Sequence, residues 1–199
     1  GGSDVFSSDR SDFYPEEVKY HYTGHRNCSV SYSPSNTPQN DMCPVCHRPL
    51  TVGVMRRVED LAATPENNFT YEKDKNGVVW VKDSAGIRPP SVSLVPLLEI
   101  LAEVYKTAFN SQKALCVFDS LVQKFGSEHE VLLRASLDDI RTGFGKEIAD
   151  GVEKVRNRNI SISPGFDGEY GQVEIWNEKG EVGSGKDKEK KVDEQMGLL

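Results

Sequence analysis

Four side chains with soft or borderline donor atoms fall in "GHRNCSVSYSPSNTPQNDMCPVC" as two pairs, His25-x2-Cys28 and Cys43-x2-Cys46. A two-residue gap lets a tight knuckle turn aim both side chains of a pair at one ion, and two such pairs complete a tetrahedral zinc. Imidazole with thiolates also suits iron, although zinc is the usual ion at closed sites of this kind. His21, His25 and His47 are all close enough in sequence to act as the fourth ligand. Spacing favours His25, which makes a second knuckle symmetric with the first. With four protein ligands no position remains for water, so the expected role of the zinc is structural, its binding energy folding the segment around it. The alternative is a three-ligand catalytic zinc, and no obvious general base stands beside the cluster.

A second stretch able to meet a ligand is Gly143-Phe144-Gly145-Lys146. A glycine, apolar, glycine turn between helices allows a tight reversal, buries the aromatic ring, and leaves the first N–H groups of the following helix facing outward. Such amides, with a lysine beside them, bind nucleic-acid phosphate without reading bases. Residues 141–158 carry Arg141, Lys146, Lys154, Arg156 and Arg158 against three acidic side chains. The expected DNA contacts here are Arg141, Gly143, Gly145, Lys146, Arg156 and Arg158. The passage resembles the helix-hairpin-helix of DNA-repair nucleases, in which an "FGS" helix precedes a "GhGK" hairpin, with one such hairpin present.

The elements that must position these residues are small. The chain has 199 residues, 37% of them hydrophobic, a formal charge of −7 and a pI near 5.2. This composition predicts small lobes joined by loops and excludes a surface that is basic throughout. Three of the four cysteines lie within residues 28–46, which does not look like a disulfide framework, so a reducing, cytoplasmic setting is expected. No apolar run reaches about 18 residues, so no membrane-spanning helix is expected. The predicted fold is α+β. It comprises a small zinc-ribbon or knuckle lobe with a β-hairpin, followed by a helical, helix-hairpin-helix-like lobe with a terminal β-hairpin.

The expected divisions are a linker or disordered segment at 1–14, a zinc lobe with a following helix at 15–66, and a hairpin connector at 67–92. A helical domain with terminal strands is expected at 93–176 and a disordered charged tail at 177–199. "VMRRVEDLAA" spaces Val54, Val58 and Leu61 as an amphipathic helix, and Asn76-Gly77 between β-prone runs signals a hairpin. "SLVPLLEILAEVY" places Leu94, Leu97, Leu98, Leu101 and Val104 on one helical face. A second helix is expected near 111–124. Ser127 and Ser136 mark further starts, and Ile148, Ala149, Val152 and Val155 face inward in a last helix. "ISISPGFDGEYGQVEIW" switches to period two around a Pro/Gly turn.

The order of "FYPEEVKYHYTGHRNC", "CPVCHRPLTVGVMRRVEDLA", "RPPSVSLVPLLEILAE", "FGSEHEVLL" and "PGFDGEYGQVEI" resembles the part that follows the catalytic domain in endonuclease Q and its bacterial relatives. In that family a metal nuclease domain of the polymerase-and-histidinol-phosphatase (PHP) type precedes a zinc-binding domain and a helical C-terminal domain. Members cut DNA on the 5′ side of deaminated bases such as uracil and hypoxanthine. The resemblance runs from about Phe13 to Ile175. It implies zinc ligands at His25, Cys28, Cys43 and Cys46, with histidine standing where relatives often have cysteine. It also implies a DNA-facing Arg57 and base or DNA contacts at Asp167 and Tyr170, with Phe166 in place of the usual tyrosine. The segment "FTYEKDKNGVVWVKDSAGI" departs from the family pattern.

The four histidines, His21, His25, His47 and His129, are too few and too scattered to rebuild a multi-metal hydrolytic centre. The chain, which begins without methionine, is therefore expected to be a non-catalytic piece of a longer nuclease, partnered in cis or in trans by a PHP domain. Its expected role is to bind DNA near a lesion. The alternative is an adaptor that recruits a sliding clamp, through a glutamine-plus-apolar peptide at Gln195, Met196, Leu198 and Leu199.

Overall fold

The computed structural model describes residues 10–62 and 69–176, and their order is that of an α+β chain. β1 (Arg10–Phe13) is followed by β2 (Thr23–His25), β3 (Val30–Tyr32) and α1 (Val54–Leu61). The hairpin β4 (Phe69–Lys73) and β5 (Val79–Asp83) leads to β6 (Ser91–Leu94). Four α-helices come next: α2 (Leu97–Tyr105), α3 (Gln112–Phe125), α4 (Leu137–Phe144) and α5 (Lys146–Arg156), with a π-helical turn at Glu130–Arg134 between α3 and α4. β7 (Ser161–Ser163) and β8 (Gln172–Glu174) close the described chain.

The predicted hairpin forms around Asn76-Gly77, with Gly77 at φ +83° and Asp74 accepting from the amides of Asn76 and Val78. It does not stand alone. β5 pairs with β6, and β1 adds in parallel on the far side, giving a sheet of order β1-β6-β5-β4. Residues 10–13, read from sequence as linker, are thus an edge strand. Leu94, expected on the α2 face, ends β6 instead, because Pro96 lacks an N–H and sets the helix start at Leu97.

Hydroxyl caps mark the starts of α3, the turn before α4, and α4. Ser111 Oγ accepts from the Ala114 amide, Ser127 Oγ from Glu130, and Ser136 Oγ from Asp139. One core unites the sheet and the helices: Val78, Val92 and Val95 meet Leu97, Ile100, Leu101, Leu121, Ile140, Ile148, Val152 and Val155, all nearly or fully buried. The predicted inward face of α5 is therefore observed. α4 runs through Gly143 and Phe144, leaving Gly145 (φ +109°) as the single linking residue. Phe144 packs on the core with its ring 6.2 Å from that of Phe125, which holds the last turn of α4 in helix.

The stripe Val54, Val58, Leu61 on α1 points to solvent. Backbone bonds hold this helix in place, from the amides of Val54 and Met55 to the carbonyls of Tyr20 and His21, and Arg56 reaches Asp41 and Asp60.

Candidate metal centre and nucleic-acid surface

The first knuckle is built where β2 ends. β2 carries His25, a single 3-10 turn over Arg26–Cys28 carries Cys28, and Ser29 in the left-handed region (φ +52°) sends the chain back along β3. The second is the turn from Cys43 to Cys46, closed by bonds from the His47 amide to the Cys43 carbonyl and from the Cys43 amide to the Arg48 carbonyl. Together they bring one donor atom each of His25, Cys28, Cys43 and Cys46 within 4.8 Å of one another, with His25 Nδ1 3.3 Å from Cys46 Sγ. A tetrahedral zinc with bonds of about 2.3 Å holds its sulfurs about 3.8 Å apart, so the set fits such an ion.

Burial raises the Cys43 thiol, yet the amides of Cys46 and Val45, then the His25 and Cys46 side chains, bring it down to about 6. Burial and the neighbouring thiols push Cys28 up to about 11. A cation among the four donors would favour the ionised thiolates. His21 and His47 are not part of it. His21 is buried, which lowers its pKa, while His47 is exposed at φ +56°.

Asp167 ties the first knuckle to the C-terminal turn. Its carboxylate accepts from the Arg26 amide at 2.7 Å and from the Thr51 hydroxyl at 2.5 Å. Burial raises its pKa, but these two bonds and the charges of Arg26 and His25 outweigh it and hold the carboxyl below its ordinary value. Asp167, for which the resemblance implies a base or DNA contact, is engaged within the protein through these bonds. Backbone bonds continue the seam, from the amides of Tyr22 and Gly165 to Gly165 and Glu16, and from Gly168 and Gly171 to Lys19 and Glu17. A Cβ at Gly165 would lie 2.3 Å from the Val18 carbonyl oxygen, so only glycine permits this approach. Tyr170 is exposed, with Lys19 Nζ 4.6 Å from its ring centre.

The basic residues of 141–158 meet different fates. Arg156 is buried and donates to the carbonyls of Leu132, Asn76, Val131 and Ala135, which removes it from the surface expected to face DNA. Arg141 bridges Asp138 at 2.7 Å and Asp150 at 3.5 Å. Arg158 lies between the rings of Tyr14 and Tyr71. Lys146 is exposed at the first turn of α5, where Gly145 offers no side-chain cap to the helix amides, and Gly143 is exposed beside it. Arg57 is exposed on α1 and makes no ion pair among the described residues. The tail residues Gln195, Met196, Leu198 and Leu199 lie outside the described residues.

Sequence reasoning passed over Glu17 and Glu99, which line a cavity of about 410 Å³ with Tyr170 and Glu174. Burial, then the charges of Glu99 and Glu16, raise Glu17 to about 7, and burial raises Glu99. No local signal marks the pair, because they are 82 residues apart, Glu17 in the 3-10 turn Pro15–Glu17 and Glu99 on α2.

Residues 96–159 match the family described as the MJ0043 C-terminal domain. The uncharacterized protein MJ0043 of Methanocaldococcus jannaschii is 26% identical over 160 residues, 80% of this chain and 18% of that protein. The crystal structure of the lesion-specific endonuclease PfuEndoQ from Pyrococcus furiosus superposes with a TM-score of 0.64 at 29% identity, covering 83% of this chain and 37% of that one. Endonuclease Q in complex with a 27-mer duplex bearing an abasic lesion gives 0.63 at 28% identity, over 86% and 39%. The chain thus resembles endonuclease Q over most of its own length while spanning only about two fifths, or less, of these relatives.

Proposed function

We propose that this chain is the zinc-stapled, DNA-holding region of an endonuclease Q-like repair nuclease that acts on deaminated bases. Strand cleavage would be supplied by a PHP-type nuclease domain in cis or in trans. The observation that carries the proposal is the likeness to endonuclease Q, one of whose structures holds a DNA duplex. Zinc would be held by His25, Cys28, Cys43 and Cys46, where it would cross-link two turns without taking part in hydrolysis, since four protein ligands leave it no open position. α4, Gly145 and α5 would act as a helix-hairpin-helix, with the uncapped amides at the start of α5 and Lys146 on one phosphate. Arg57 would supply a separate phosphate contact from α1.

Mobility-shift titrations on plain, uracil-containing and abasic duplexes test this reading. With the two phosphate contacts named, affinity should fall about tenfold between about 50 and 200 mM salt. Failure to shift any duplex at the lower salt refutes the DNA-holding role. One equivalent of zinc, lost in Cys46→Ala, is the expected metal content; full retention in that variant refutes the ligand set.

A further inference from the structure

The β4–β5 hairpin forms one wall of a cleft of about 630 Å³, a volume within the range of about 300–1,000 Å³ typical of small-ligand sites. β1 and the π-helical turn form its other sides. Four cationic side chains line it, Arg10, Lys75, Lys82 and Arg134, against a single carboxylate, Asp74. The Asp74 carboxylate is already occupied: it accepts from the amides of Asn76 and Val78 and from Trp80 Nε1. The lining side chains carry four positive charges against one negative, and the three carboxylates paired with them lie outside the lining.

Three of the four cations hold carboxylates at their outer ends, Arg10 with Asp12, Lys82 with Glu72 and Arg134 with Glu130. These are solvent-exposed pairs, which contribute little and exchange readily for a stronger anion. Lys75, at the hairpin tip, has no ion pair among the described residues. Trp80 and Lys82 are two residues apart on β5 and so share one face of the strand, setting an indole beside an ammonium. His129, hydrogen-bonded to Ser11 across the cleft at 3.0 Å, adds a further nitrogen.

Cations around an aromatic wall are the chemistry that takes a phosphate and a base together. We propose that this cleft binds a nucleotide, with its phosphate on Lys82, Arg134, Arg10 and Lys75 and its base toward Trp80. A volume of about 630 Å³ suits a group of nucleotide size, so the occupant is a free nucleotide or a unit of a single strand. The inference does not depend on duplex binding at the α4–α5 link.

Fluorescence anisotropy of the full chain with a labelled single-stranded thymidine hexamer tests it, with unlabelled thymidine monophosphate and inorganic phosphate as competitors. Lys82→Ala/Arg134→Ala should weaken hexamer binding about tenfold by removing two phosphate contacts, while leaving duplex binding by mobility shift nearly unchanged. Lys146→Ala should do the reverse. Circular dichroism checks the fold, and Lys75→Ala, whose side chain supports no other residue, should weaken the hexamer alone. Competition by thymidine monophosphate at concentrations where inorganic phosphate has no effect supports a nucleotide site. A monophosphate equal to the hexamer points to the free nucleotide, and a weaker one to a strand. No hexamer binding by the unaltered chain at low salt, unchanged binding in the double variant, or equal competition by inorganic phosphate would overturn the proposal. Loss of duplex binding with the cleft result intact would refute the DNA-holding function and leave the cleft standing.

Discussion

Replacing Arg156 with methionine should destabilise the fold without touching a DNA contact. The guanidinium donates to four carbonyls, those of Val131 and Leu132 within the π-helical turn, Ala135 just after it and Asn76 at the hairpin tip. Burial lowers the Arg156 pKa, with the charges of Asp74 and Glu153 opposing. The bonds to Val131 and Leu132 are buried, and each stranded acceptor costs about 1–3 kcal/mol, whereas the partly buried Asn76 and Ala135 carbonyls can turn to water. Relief of the desolvated guanidinium offsets part of the resulting ~2–6 kcal/mol, leaving a net loss of about 3 kcal/mol. For a typical slope of about 2 kcal/mol per molar urea, the unfolding midpoint falls by about 1.5 M. Urea titration followed by circular dichroism measures this, with Arg156→Lys expected in between because one ammonium cannot reach all four oxygens. A methionine variant that unfolds with the unaltered chain but no longer shifts duplex DNA would refute the reasoning and return Arg156 to the binding surface.

Removing the Asp167 carboxylate with Asp167→Ala should cost about 1 kcal/mol, because it removes two bonds whose donors, the exposed Arg26 amide and the part-buried Thr51 hydroxyl, can turn to water; hydrogen exchange at residues 23–32 and 164–171 should rise together, and a rise confined to 164–171 would count against the tie. Glu17 has a folded pKa raised from 4.5 to about 7, so its contribution is fully present below about pH 4.5 and is lost as pH rises through about 7. Glu17→Gln stays neutral throughout and should exceed the unaltered chain by about 1 kcal/mol above pH 7, after discounting for solvent screening, and match it near pH 4; thermal melts across this range read it, and an advantage confined to acid pH would reverse the sign. Lys146→Ala and Arg57→Ala should each reduce the slope of log affinity against log salt by about 1 in mobility shifts, with little change in stability; an unchanged slope would place that side chain off the DNA.

Much of this was legible where the signal is local. Asn76-Gly77, the serine caps and the inward face of α5 are written in runs of a few residues, and the structure uses them as read. The two x2 gaps also brought His25, Cys28, Cys43 and Cys46 together, since a knuckle is itself a local turn. What sequence could not weigh was competition between partners distant in the chain. Arg156 and Lys146 look equally basic, yet one faces a rim of free carbonyls and the other faces water. The ties of Asp167 could not be read locally, because its partners Thr51 and the Arg26 amide lie 116 and 141 residues away. β1 went unseen because four polar-rich residues, RSDF, gain strand identity only from β6 beside them.

The burial pattern shows what a metal at the His25, Cys28, Cys43 and Cys46 cluster would contribute to this part of the chain. Among described residues 15–62 the buried apolar side chains are Cys43 and Leu50, whereas the sheet and helices share a core of many aliphatic residues. A segment so poor in core cannot offset its ordering entropy by hydrophobic burial, and its own sheet is two strands of three residues. What holds it is polar: four donors able to share one ion, the Asp167 carboxylate, and backbone bonds to the 164–171 turn. These devices are linked. The turn reaches the first knuckle through Arg26, which lies between His25 and Cys28, so ordering of the metal site and docking of the chain's later strands favour one another. A cation closing the four donors would therefore stabilise a seam between distant parts of the chain, a role that needs full coordination and is incompatible with the open position hydrolysis requires.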